Sequence, residues 1–326
     1  MVSIFKEKST PAVFGLIVLS IGLHAFFMFR PPLVITSPGD GLLYYFLQPL
    51  AGLPSIFLSL LYYVIVLVQA LRINYLFNDT RMYQRAAFTA ALAYLFLTSL
   101  LPEWNNITAA LVANSFIIWL LFRIVKLYNT PQPKTLVYNI GLITGVTVLL
   151  YYPALGIVAA VFFALGVTRP FRINEWLVLL LGIITPAYFW CGYMFLTGQL
   201  EESIKNFTGI FQLHKIIEPA IKPVITAFSA AGLMLVIGIY GWQANSNRMV
   251  IQVRKTWGVL FFMLLLFAPA VFVIKNAWPA ALLLACLPAA AFVANAFLYP
   301  KKIISALLFW VMVAVSVYVN WVLVKI

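Results

Sequence analysis

Two carboxylates stand where chemistry at a membrane face could use them. Asp40 lies in Ser37-Pro38-Gly39-Asp40-Gly41, and Glu103 in Pro102-Glu103-Trp104-Asn105-Asn106. Burial in a partly apolar pocket raises a carboxylate's pKa towards neutrality, so it can take up a proton as a general base. Arg30, His214 and Lys215 are basic groups at loop positions, able to hold a phosphate by charge-assisted hydrogen bonds. Each acid also has a plainer reading. Asp in Pro-Gly-Asp-Gly is ordinary turn chemistry, and Glu103 could simply face water at a helix end.

Other chemistries lack their residues. No Asp, Glu, Lys or Arg falls in the middle of an apolar run, whereas ion-driven transport needs ionisable groups near the midplane. His24 is the one imidazole inside such a run and reads as a packed or helix-bonded residue. With His24 and His214 as the only histidines, no three-histidine or histidine/carboxylate metal cluster assembles locally. No cofactor is implied beyond a divalent cation that Asp40 and Glu103 could hold. Gly-rich phosphate loops and Gly-x-Ser-x-Gly elbows are absent. Three Asn-x-Thr matches, at Asn78, Asn106 and Asn206, are what chance allows in a chain this long.

The elements that must position these residues are apolar throughout. Of 326 residues, 64% are hydrophobic and 9% charged, with a mean hydropathy of +1.02. Soluble domains carry roughly 25% charged residues. Near-20-residue apolar runs recur from end to end, matching the roughly 30 Å hydrocarbon core. The expected fold is an all-α membrane protein of one integral membrane domain. About eleven spans are predicted, at 12–29, 54–71, 86–101, 107–125, 136–151, 154–168, 176–197, 223–242, 257–274, 279–298 and 303–324. The first reads as a membrane helix rather than a cleaved leader, since Arg30-Pro31-Pro32 follows it.

Charge sets the expected orientation. The net charge is +13, but Lys and Arg occur singly or in pairs between apolar runs, which argues for topology and against nucleic acid. With a cytoplasmic N-terminus, only Arg30, Lys205, Lys215, Lys222, Lys275 and Lys325 of the 21 basic residues fall outside. Five of the eight acids, Asp40, Glu103, Glu201, Glu202 and Glu218, fall outside as well. Merging the fifth and sixth spans at Tyr151-Tyr152-Pro153 would move Arg254/Lys255 and Lys301/Lys302 outside, so two spans and a tight turn fit better. The C-terminus is then external. Cys191 and Cys286 lie in apolar runs and read as buried thiols.

Two external segments stand out. Leu42–Leu53, interrupted by Pro49, is too short to span and reads as interfacial. The segment 198–222 holds His214, and from Glu201 to Phe211 it places Ile204, Phe207 and Phe211 on one helical stripe. Pro186, Pro269 and Pro288 are expected to kink or open their helices. Gly141 and Gly145 form a small-xxx-small packing pair. Trp104, Trp176 and Trp278 read as interfacial anchors.

Two resemblances follow from particular residues. Lys6–Pro11, the stretch Leu97–Asn114, and Arg169-Pro-Phe-Arg-Ile-Asn-Glu-Trp176 with Leu181-Gly182-Ile-Ile-Thr-Pro186 resemble an uncharacterised family of Gram-negative inner-membrane proteins of this length. That implies multi-pass residence in the cell inner membrane and no defined activity. The layout is also similar to the C-type glycosyltransferase superfamily, with Asp40 in the first external loop, Glu103 in the second, and 198–222 after the seventh span. Members often carry paired acids in the first loop; here Asp40 is alone. This resemblance implies a polyprenyl-phosphate-sugar-dependent glycosyltransferase. Asp40 would activate the acceptor, Glu103 would assist or help hold a metal, and Arg30, His214 or Lys215 would steady the lipid phosphate. The competing readings are a non-enzymatic scaffold or accessory subunit, and a facilitator or lipid flippase with Asn114, Asn139, Thr144 and Asn320 along a polar path.

Overall fold

The structure, a computed structural model, describes residues 2–209, 211, 221–269, 272, 274 and 278–322. A described apolar helix overlaps each predicted segment. In chain order the described helices are α1 (Val2–Phe5), α2 (Thr10–Leu23), α3 (Leu42–Leu47), α4 (Ser55–Asp79), α5 (Thr89–Thr98), α6 (Ala109–Ile124), α7 (Lys134–Leu150), α8 (Gly156–Thr168), α9 (Ile173–Leu196), α10 (Leu200–Gly209), α11 (Ile221–Ser246), α12 (Ile251–Phe267), α13 (Trp278–Leu298) and α14 (Lys302–Val322). The helices of six of these segments are long and apolar enough to cross a bilayer unaided: α4, α6 with its 3-10 extension, α9, α11, α13 and α14. The chain is an all-α protein of multi-pass membrane character.

Several predicted boundaries shift for local reasons. α2 stops at Leu23 and tightens into a 3-10 turn over Ala25–Met28, short of the predicted end at 29. α5 is ten residues long where sixteen were expected, yet every one of them is buried. α4 continues eight residues past its predicted end at 71. α12 begins at Ile251 and ends at Phe267, so Pro269 lies beyond the helix and does not kink it. Pro186 and Pro288 sit inside continuous helices. α7 and α8 are separate helices, joined at Tyr151 by a 3-10 turn over Tyr152–Leu155.

α13 is the centre of the bundle. Ala281 through Leu298 are all buried, enclosed by α5, α6, α11 and α12. Side chains from other elements donate to its carbonyls: Asn114 to Leu283, Tyr83 to Ala291 and Trp104 to Pro279. Trp104 and Trp278 are therefore packed inside the protein and are not the interfacial anchors expected; Trp176 stacks on Phe162, ring centres 5.7 Å apart.

Close packing is concentrated at glycines. A Cβ on Gly141 would stand 3.0 Å from the Cα of Gly182, and one on Gly145 would strike the Ile183 carbonyl. The expected small-xxx-small pair is thus where α7 meets α9. His24, wholly buried, meets the Ser20 carbonyl at 2.8 Å and packs against Phe26, Phe27, Tyr62 and Tyr63. Arg169 and Glu175 form a buried ion pair at 2.8 Å, and Arg169 also donates to the carbonyls of Leu127 and Thr130. The Arg169–Trp176 sequence is, physically, the clamp that ties the end of α6 to the start of α9.

α4 runs from the end of the bundle that carries Asp40 to the end that carries Arg81. There it closes with a Schellman motif: Arg81 N–H donates to Asn78 and Met82 N–H to Phe77. Arg81 takes the left-handed conformation, φ +52, which costs a non-glycine residue about 1 kcal/mol.

Gly141→Val should cost several kcal/mol, since a branched side chain has no room between α7 and α9. Gly232→Ala, where nothing lies within 4 Å, should be neutral or slightly stabilising. Thermal unfolding of both variants in one detergent checks this; equal midpoints would mean that α7 and α9 do not pack through Gly141.

Candidate functional site

A strap of chain carries Asp40. After Arg30-Pro-Pro, Leu33 is fixed by the side chain of Asn106 at 3.0 Å. Val34–Ile35 then pairs in parallel with Ile107–Thr108. This two-residue ladder binds the segment after α2 to the segment between α5 and α6, leaving Ser37 at the start of a 3-10 turn over Pro38–Asp40. Ser37 and Asp40 cap each other: Asp40 Oδ2 accepts from the Ser37 N–H at 2.6 Å, and the Ser37 side chain accepts from the Asp40 backbone. Gly41 follows with φ +74, and a side chain there would strike the carbonyls of Leu149 and Leu150 at the end of α7. Glycine is what lets the strap lie flat on α7.

Asp40 is 7% exposed, because α10 packs across its turn. Burial raises its carboxyl from 3.8 to about 6, against the lowering effect of the Ser37 hydrogen bonds. Tyr151, fully buried with no partner for its hydroxyl, lies within electrostatic reach of the Asp40 carboxylate. Alongside is a narrow cleft of about 30 Å³, bounded by Gly41, Tyr45, Tyr152 and Trp190 on one side and by Gln199, Glu202, Ser203 and Asn206 of the α10 region on the other. The Trp190 Nε1 is buried without a partner. Aromatic faces beside amide, hydroxyl and carboxylate groups are the chemistry that grips a polyhydroxylated ligand, through apolar contact on one side and hydrogen bonds on the other. As it stands the cleft holds about one water. α10 forms the second wall: it begins just after Gly198, at φ +70, and packs by Phe207 on Tyr152, ring centres 5.2 Å apart. Of the expected stripe, Phe207 and Phe211 pack together, whereas Ile204 is exposed.

The remaining sequence candidates scatter. Glu103 is exposed at the start of a 3-10 turn over Pro102–Asn105 and is not part of the cleft wall. Arg30 is exposed beyond the first helix. His214 and Lys215 lie outside the described residues. Among the described residues no group of three His, Cys, Asp or Glu could hold a metal, and Asp40 and Glu103 sit on different turns, one buried and one exposed.

The polar-path residues are also divided. Asn114 bonds the Leu283 carbonyl, Thr144 its own helix at Ile140, and Asn320 the carbonyls of Ser99 and Ser316, while Asn139 is exposed. Tyr151, Tyr152, Trp190, Glu202 and Asn206 escaped sequence reasoning. The signal for Glu202 and Asn206 was their i, i+4 spacing on α10; Tyr151 and Trp190 had none. An apolar groove of about 260 Å³ lies between α5, α11, α12 and α13, with Leu97, Trp104, Phe228 and Cys286 among its walls. No protein-family model, curated protein or solved structure matches the chain.

Asp40 gives a pH signature. Its folded pKa lies above the ordinary value, so the folded protein holds the proton more tightly than the unfolded chain. The resulting stability is full below about pH 4 and is lost as pH rises through about 6, a change on the order of 3 kcal/mol. Thermal unfolding of the wild type should therefore weaken between pH 4 and 7 relative to Asp40→Asn, which cannot titrate there. Parallel pH profiles would mean that Asp40 is solvated.

Proposed function

We propose that the chain is a multi-pass inner-membrane protein in which all eleven apolar segments cross the bilayer, with the Arg81 end in the cytoplasm and the Asp40 end outside. At the outer end it transfers a sugar from a polyprenyl-phosphate carrier. The observation that carries this reading is the buried Asp40 carboxylate, raised to about 6, beside a cleft walled by Tyr45, Tyr152, Trp190, Glu202 and Asn206. The positive-inside distribution of charge supports the orientation. The likeness of its layout to the C-type glycosyltransferase superfamily supports the chemistry, and the likeness to an uncharacterised Gram-negative family supports the location.

In the proposed reaction α10 lifts and the sugar enters against the aromatic wall. Asp40 takes the proton of the acceptor hydroxyl, and its oxygen bonds to the anomeric carbon. The anomeric carbon–oxygen bond to phosphate breaks, and polyprenyl phosphate leaves with the electron pair. Arg30 and the loop residues His214 and Lys215 are the basic groups available to hold that phosphate. The isoprenoid chain lies among the helices, where the groove beside Trp104 offers apolar volume. Glu103 has no step in this scheme, and no step passes through a metal.

A second reading keeps Asp40 as a turn-closing residue of a non-enzymatic scaffold; its reciprocal bonds with Ser37 favour that. One experiment separates the two. With the protein in proteoliposomes and a polyprenyl-phosphate-linked sugar supplied, Asp40→Asn should abolish release of polyprenyl phosphate while insertion persists and the unfolding midpoint does not fall. Full release by the variant, or none by the wild type, leaves the scaffold. Orientation is read separately. Single cysteines replacing Lys205 and Lys301, in a background lacking Cys191 and Cys286, should be labelled by an impermeant maleimide from opposite sides of intact cells. Labelling from the same side would remove the eleven-span topology.

A further inference from the structure

At the far end of the bundle from Asp40 lies a larger and differently built cavity. Its volume is about 660 Å³, within the range of sites that take small molecules. Three segments wall it: the turn after α4, the end of α6, and the link between α11 and α12. They bring in three cations, Arg81, Lys126 and Arg248, against one carboxylate, Asp79. Among the described residues none of the three cations has an ion pair, whereas Arg169 and Arg172 both meet Glu175.

The walls are fixed to one another. Gln84 donates to Asn245 at 2.9 Å, tying the turn after α4 to the end of α11. Gln252 donates to the Val125 carbonyl at 3.3 Å, tying α12 to the end of α6. The cations thus stand on a braced frame rather than on separate loops.

Arg81 is the informative residue. It occupies the left-handed position of a Schellman motif, where glycine would be relaxed. Insertion topology asks for positive charge somewhere in this loop, and Arg85 supplies it four residues on. It does not ask for an arginine at the one strained position. The Arg81 side chain at that position lines the cavity wall, where a guanidinium can hold an anion.

We propose that this cavity is a second binding site, for a phosphate-bearing anion, with Arg81, Lys126 and Arg248 as its ligands. Phosphate is the class that suits three cations lining one cavity, because it carries up to two charges and several acceptor oxygens. A soluble phosphate compound and an anionic lipid headgroup present the same chemistry. In the proposed orientation the site faces the cytoplasm, but it stands whether or not the Asp40 end is a glycosyl-transfer site.

The test uses the full chain in a neutral detergent, with pyrophosphate as probe and potassium chloride matched for ionic strength. Pyrophosphate should raise the unfolding midpoint above the salt control and bind measurably by calorimetry. Arg81→Gly relieves the backbone, so its ligand-free midpoint should equal or exceed that of the wild type. Its affinity, and that of Arg248→Gln, should nevertheless fall about tenfold or more, as expected for loss of a charge-assisted contact. Lys301→Gln, at the same end but off the cavity wall, should bind as the wild type does. Nanodiscs of phosphatidylglycerol that block pyrophosphate, when phosphatidylcholine nanodiscs do not, would assign the site to a lipid headgroup. Equal effects of pyrophosphate and matched chloride, or undiminished binding in both arginine variants, would overturn the proposal.

Discussion

A helix with no exposed face must find partners for any backbone group its own ladder leaves over, and α13 is such a helix. Between Ala281 and Leu298 nothing reaches the surface, and Pro288 withholds one amide from the ladder. In a dry interior each unsatisfied carbonyl or amide costs several kcal/mol. The surrounding elements add donors to carbonyls along it: Asn114 of α6 to Leu283, Tyr83 of the turn after α4 to Ala291, and Trp104 of the turn before Ile107–Thr108 to Pro279. Alanines along α13 let its neighbours close in. Gly238 of α11 comes so near the Phe292 carbonyl that no side chain fits between them, and Asn295 answers with a bond to the Gly238 carbonyl. The bundle's order follows from this one enclosed helix.

The periphery is organised differently. α7 and α9 form a tight pair through glycines, and the Arg169–Glu175 clamp holds the base of α9 to the end of α6. The clamp is a buried ion pair whose remaining donors are taken up by the Leu127 and Thr130 carbonyls, so neither charge is left uncompensated. Lys6 plays a similar part at the chain start, donating to the Pro300 carbonyl and to Ser305 and so anchoring α1 to the base of α14. Burial and the neighbouring Arg85 and Lys302 push its pKa down.

The two candidate sites sit at opposite ends because α4 separates them, its 25 residues spanning roughly 37 Å. They also differ in construction. The Asp40 end is nearly closed, with an amphipathic helix over a carboxylate and a gap about one water wide. The Arg81 end is open, braced and cationic.

The sequence by itself determined the class of the molecule and the place of each apolar segment, because the bilayer demands long apolar helices and leaves the pattern plainly written. It also determined that Gly141 and Gly145 pack and that His24 is held by its surroundings. The separation of α7 from α8 was legible through charge, since a merged helix would have carried basic pairs to the side expected to be external. Only tertiary structure decided the rest. That α5 needs just ten residues, that Trp104 and Trp278 turn inward, and that Pro269 lies past its helix all depend on neighbours distant in sequence. A two-residue ladder between 34–35 and 107–108 carries too little pattern to read, yet it sets where Asp40 lies. Tyr151, Trp190 and Asn206 belong with Asp40 only because α7, α9 and α10 converge there. Local pattern records burial against lipid, but it does not record which side chains meet.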